Sequence, residues 1–195
     1  MTDQNDAETM YPNQNNDWRI ELRYRPIAHR GHAFLALVQG RGKGEVVEEL
    51  HGLSQSRNTN GIVPVGMDGA RLFATNAGNM DKNIKTIAAV ASGSQEEMKK
   101  IWARGVQASE AISSKNYDYK AHDPSYELGT DGGQIQNSNS VAFTLGKAMG
   151  LDLDLNRVLK EKGMTRTFAG WGRDLLDPNY ERYIAPPSFP VRDAP

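Results

Sequence analysis

The sequence predicts an α+β fold, an antiparallel sheet with helices packed on one side of it. Two observations predict this. The first part of the chain alternates apolar and polar residues with period two between short glycine turns, the pattern of hairpin-connected strands. Later apolar residues recur at helical spacing between capping and stop signals. Strands that come first and helices that come later form segregated layers rather than the alternating units of a parallel sheet. The chain has 195 residues, 38% of them hydrophobic, enough for one domain with a core of its own.

Residues 1–17 are rich in Asn, Gln and Asp and are expected to be a disordered arm. Residues 18–165 then form the single α+β domain, with 166–195 as an extended tail packed on it. Trp18, Ile20, Leu22 and Tyr24 alternate with Arg19, Glu21, Arg23 and Arg25, a half-buried strand that Pro26 should stop. His32–Val38 is apolar on both faces and reads as a central strand. Gly40–Gly44 is a flexible turn, and Glu45–Leu50 returns as the partner strand of a hairpin. Residues 51–60 read as a loop. Ile62–Val65 and Arg71–Thr75 read as short strands around the Gly66–Gly69 turn, and Ile84–Val90 as a further strand.

Ser94 and Glu97 form a capping box. The helix it opens carries an apolar stripe of Met98, Ile101, Trp102 and Ala108–Ile112. Residues 116–136 are an aromatic and glycine-rich loop. The second helix has Val141, Leu145, Ala148 and Met149 on one face and Gly150 as its stop signal. A short third helix is expected over Leu155–Lys162, capped by Asp154 and closed by Gly163. Trp171, Tyr180, Tyr183 and Phe189 are expected to pack the tail.

Composition narrows the function. A net charge of −1 with no long basic run gives no electrostatic footprint for nucleic acid. No stretch approaches the roughly 18 apolar residues of a membrane span. The polar, acidic N-terminus lacks the features of a secretory signal, so the expected location is cytoplasmic, or outside the cell by a route without a cleavable signal peptide. The absence of cysteine rules out disulfides, thiolate zinc sites and a cysteine nucleophile in this chain. No pair among His29, His32, His51 and His122 has metal-ligand spacing, and no metal or cofactor is expected.

The segment Asn137-Ser-Asn-Ser140 is the candidate working site. A helix start offers free amides and a partial positive charge, suited to anions and oxyanions. Ser and Asn are also the commonest capping residues, so one of them caps and the others are either solvated or functional. If Ser138 is a nucleophile it needs help. A helix terminus supplies at most about 2 kcal/mol, or roughly 1.5 pKa units, far too little to ionise an alcohol. A general base must lie within hydrogen-bond reach. His32 on the central strand is the candidate base, and His51 lies at the same end of the hairpin, where register decides whether the two share a face. The amides near Asn139 and Ser140 are the candidate oxyanion site. Tyr117, Tyr119 and Tyr126 either wall a substrate groove or anchor the loop before Asn137, and Gly132-Gly133 lets that loop approach the helix start.

A histidine on an early strand, a hairpin, further strands, a helix, a tyrosine-containing loop and an Asn-led polar helix start follow one another in this chain. That order resembles the circularly permuted papain-like superfamily, which includes lecithin retinol acyltransferase-like and permuted NlpC-type proteins. There the helix start usually reads Asn-Cys, a polar pair and an apolar residue, with the cysteine as nucleophile and the strand histidine as its base. Ser138 stands at the cysteine position, His32 matches the histidine, and His51 matches the third, orienting polar residue. Asn137-Ser-Asn-Ser-Val141 also resembles the Asn-Ser-Asn-Thr-Phe motif of some bacterial relatives, which favours a native serine over an engineered replacement of cysteine. The resemblance covers roughly residues 28–150. It implies a papain-like hydrolase or acyltransferase acting on an amide or ester, in some relatives a bacterial effector or toxin-type domain. Ser138, His32 and His51 would be catalytic. Asn137, Asn139, Ser140, Tyr119 and Tyr126 would hold the oxyanion and a peptide or lipid-like substrate. The alternative it leaves is a catalytically inactive domain that binds a peptide, a lipid or a protein partner.

Overall fold

The computed structural model describes residues 17–28, 30–65, 69–76, 83–129 and 133–185. The arm before Asp17, His29, the middle of the Gly66–Gly69 turn, Gly132 and Phe189 lie outside the described residues. Strands β1 (Trp18–Ile27), β2 (Arg30–Gln39), β3 (Glu45–Ser56), β4 (Ala70–Asn76) and β5 (Lys85–Gly93) form one antiparallel sheet in the order β4-β3-β2-β1-β5. Helices α1 (Gln95–Ser114), α2 (Pro124–Glu127), α3 (Ser138–Met149) and α4 (Asp152–Glu161) complete the α+β layout. No helix among the described residues is long and apolar enough to cross a membrane.

Pro26 does not stop β1, which stays paired with β2 through Ile27↔Arg30. The pairing of β1 with β5 ends at Tyr24↔Lys85. Among the described residues Pro26 therefore has no strand neighbour on that side, and its missing amide breaks no ladder bond. The larger correction concerns residues 51–56, which are strand rather than loop. They pair with β4 from His51↔Thr75 to Ser56↔Ala70, so His51 lies inside β3 and not at its end. Ile62 makes only an isolated bridge to Gln55, while the Val63 amide donates to the Ser54 carbonyl at 2.9 Å.

Ser94 and Glu97 form the expected capping box on α1. Gly150 ends α3 in a left-handed conformation, φ 78°, where glycine carries no Cβ penalty. Helix α4 begins earlier than expected and has no side-chain cap; Asp154 instead pairs with Arg157 at 3.0 Å. Within 116–136 the chain forms α2, capped by Asp123. Between α4 and Tyr180 the chain runs through a series of turns. Phe168 and Leu175 are its buried anchors, and Trp171 is only partly buried.

The core lies between the sheet and helices α1 and α3. Ile20, Leu22, Leu35, Leu37, Leu50 and Leu72 from the strands meet Trp102, Ile112, Val141, Leu145 and Met149 from the helices. One feature of the sheet positions everything that follows. The pairing of β2 with β3 stops at Leu35↔Leu50, although β2 runs on beside β1 to Arg30 and β3 runs on beside β4 to Ser56. The first turn of α3 occupies this divergence. Asn139 Oδ1 accepts the Ala33 amide at 2.9 Å, a donor that β3 no longer satisfies. A Cβ at Gly52 would lie 2.7 Å from the Val141 side chain and 2.8 Å from Ser138 Cα, so only glycine lets the helix start come this close to β3.

Candidate active site

Asn137 is the N-cap of α3. Its Oδ1 accepts the amides of Asn139 at 2.9 Å and Ser140 at 3.3 Å, and Ser140 Oγ accepts the Asn137 amide at 3.4 Å. The amides of Asn139 and Ser140 are thus both engaged by the capping side chain. Asn139 and Ser140 act as staples. Asn139 Nδ2 donates to the Ala169 carbonyl at 3.0 Å, and Ser140 Oγ donates to the Gly170 carbonyl at 3.0 Å. Asn137 Nδ2 also donates to the Ala169 carbonyl, at 3.1 Å.

Ser138 is the first residue of α3 and has no capping role. It is almost fully buried, and both its hydroxyl and its backbone amide interact with the Tyr119 phenol. Burial raises the Tyr119 hydroxyl above its ordinary range, an effect that the Ser138 contacts oppose. No hydrogen bond joins Ser138 to His32.

His32 on β2 and His51 on β3 do share a face. Strand alternation also sets Phe34 and Glu49 on that side, opposite Leu35 and Leu50. His32 Nε2 lies 3.1 Å from His51 Nδ1, with the rings within 8° of parallel. His51 Nε2 lies 3.1 Å from Glu49 Oε2, and the Phe34 ring stacks on His51 at a centroid distance of 4.2 Å. Glu49 and His51 are fully buried. Burial, then His51, then Arg25 press the His32 pKa down to about 3, so the ring is neutral at physiological pH. Glu49 escaped the sequence reading, although its two-residue offset from His51 on a strand already set both on one face.

His32, Ser138, Asn137, Asn139, Tyr119 and Tyr126 line one cleft of about 470 Å3. Ile27, Leu53, Ile62, Val63, Pro64, Val65 and Ile135 supply apolar wall, and Arg25, Arg30 and His122 supply basic side chains. The three tyrosines divide between the two roles left open. Tyr117 anchors, its hydroxyl donating to the Leu175 carbonyl at 2.8 Å. Tyr126 does both, lining the cleft while its hydroxyl reaches the Arg166 carbonyl at 3.2 Å. Tyr119 faces Ser138. Among the described residues no three His, Asp or Glu side chains are grouped so as to hold a metal ion. Comparison with protein-family models, with curated proteins and with solved structures finds no match for this chain.

Proposed function

We propose that this protein is a hydrolase or acyltransferase of the permuted papain-like kind, which attacks an amide or ester carbonyl with Ser138. One observation carries the reading. Asn137 does the capping, which leaves Ser138 on a helix N-terminus without a capping task, in the same cleft as a neutral histidine tied to a second histidine. The insertion of the helix start between diverging strands that each carry a histidine supports the papain-like arrangement.

In this mechanism His32 Nδ1 takes the Ser138 proton as Oγ bonds to the substrate carbonyl carbon. The carbonyl oxygen, now an oxyanion, takes the place of the Tyr119 oxygen at the Ser138 amide and accepts from the Tyr119 hydroxyl as well. His32 returns the proton to the leaving group, and water or an acceptor nucleophile then releases the acyl group by the same steps. His51 orients the His32 ring. Ser138 contacts Tyr119; rotation of its hydroxyl toward His32 accompanies substrate entry, since catalytic hydrogen bonds often tighten only in the complex. An effector or toxin-type setting rests on the sequence resemblance and adds nothing to this chemistry.

The contact of Ser138 with Tyr119 rather than His32 favours one second reading, an inactive domain that binds a peptide, a lipid or a protein in the cleft. A fluorophosphonate probe separates the two. The enzyme reading expects covalent labelling at Ser138 and release of p-nitrophenol from short-chain esters, both lost in Ser138→Ala. An unlabelled, folded protein with no esterase activity would leave the binding reading in its place.

A further inference from the structure

The chain of hydrogen bonds behind His32 ends on a carboxylate that the mechanism above does not use. We infer that Glu49 is the positioning residue of a proton relay in which the base is the His32–His51 pair, and the charge it acquires rests on His51. The inference rests on the reading of Ser138 as nucleophile.

We take Glu49 as the carboxylate, and the tautomers then follow. A carboxylate can only accept, so His51 carries its proton on Nε2, 3.1 Å from Glu49 Oε2. His51 Nδ1 is then a lone pair and must accept from His32 Nε2 at 3.1 Å. That proton assignment leaves His32 Nδ1 as a lone pair, which is what a base toward Ser138 requires.

During attack the Ser138 proton moves to His32 Nδ1, and the His32 Nε2 proton moves to His51 Nδ1. His32 ends neutral with its proton on Nδ1. His51 ends as an imidazolium whose Nε2–H still meets Glu49. Expulsion of the leaving group reverses both transfers. His32 by itself is poorly placed to hold a charge, being buried and near Arg25. His51 has a fully buried carboxylate beside it, and Glu49 Oε1 has no hydrogen-bond partner among the described residues. A buried carboxylate with one oxygen left without a hydrogen-bond partner among the described residues is costly at rest and becomes favourable when a cation forms next to it.

The test uses imidazole-15N NMR of the whole protein, which reads tautomers without turnover, and Glu49→Gln, which keeps shape and removes charge. At neutral pH both His32 and His51 should carry their protons on Nε2. In Glu49→Gln, kcat for a p-nitrophenyl ester should fall by about 100-fold or more with KM little changed. A His32 proton on Nδ1 at neutral pH, or a Glu49→Gln enzyme with kcat within twofold, overturns the relay. If Glu49→Gln does not fold, the tautomers of the unaltered protein still decide. An inert Ser138 with the stated tautomers removes the nucleophile reading and leaves the proton assignment standing; a reactive Ser138 with the opposite tautomer does the reverse.

Discussion

Helices α1 and α3 both begin with a capping box, and the two do different work. Ser94 and Glu97 close theirs at the surface. The Glu97 carboxylate accepts the Ser94 amide at 2.9 Å and the Ser94 hydroxyl accepts the Glu97 amide at 3.3 Å, all within four residues. The start of α3 is buried, and its side chains reach across the molecule. Asn139 holds Ala33, 106 residues away, and Asn137, Asn139 and Ser140 hold the backbone of Ala169 and Gly170. A surface cap stabilises a helix. A buried cap made of neighbouring residues also determines where the helix start sits, and here it leaves Ser138 as the one hydroxyl of the group facing Tyr119 and the cleft.

The sharpest break in this comparison is Tyr119→Phe, which has no counterpart at α1. Losing an oxyanion donor should lower kcat by about 10²–10³-fold, read with the same ester, while the denaturation midpoint hardly moves. Gly52→Ala should follow. A Cβ 2.7 Å from the Val141 side chain and 2.8 Å from Ser138 Cα pushes the helix start off β3, costing roughly 1–3 kcal/mol in chemical denaturation and most of the labelling of Ser138.

Asn137→Ala removes a cap that serves two amides and should cost about 2 kcal/mol, near the upper end for such residues. It should also slow Ser138 labelling, because the same side chain holds Ala169. Ser94→Ala should cost about 1 kcal/mol and leave labelling unchanged. Equal effects of the two cap variants on labelling would erase the distinction between the helix starts. The Ser94 amide, then its side chain, hold Glu97 below the ordinary carboxylate range. A depressed carboxylate contributes stability above its unfolded pKa and loses it as pH falls through the folded one. The gap between the parent protein and Ser94→Ala should therefore narrow in acid, which a denaturation series across that range would measure.

Features legible in the sequence were those whose cause is local. The alternation of β1, the apolar run of β2, the Ser94–Glu97 box and the Gly150 stop each follow from neighbours a few positions apart. The end of β3 was not legible, because His51-Gly-Leu-Ser-Gln-Ser56 has weak strand propensity and is held by β4 across a distant connection. Misreading it as a loop left His51 at a strand end and hid Glu49, whose importance appears only once the strand continues through both. The choice of cap at α3 was not legible for a related reason. Which of four polar residues caps the helix is a local matter, but Ser and Asn are all good caps, and contacts from β2 and the segment at Ala169 and Gly170 select among them.

The sequence by itself determined that polar residues open a helix late in the chain, that a histidine sits on an early strand, and that no thiol is available for chemistry. These are properties of residue type and short-range pattern. Only the tertiary structure decided that β2 and β3 part at Leu35 and Leu50, that the start of α3 fills the gap over Gly52, and that His32, His51 and Glu49 fall into one chain. Each of those depends on strand register and on close approach between segments far apart in sequence, where a one-residue slip would turn every side chain to the opposite face.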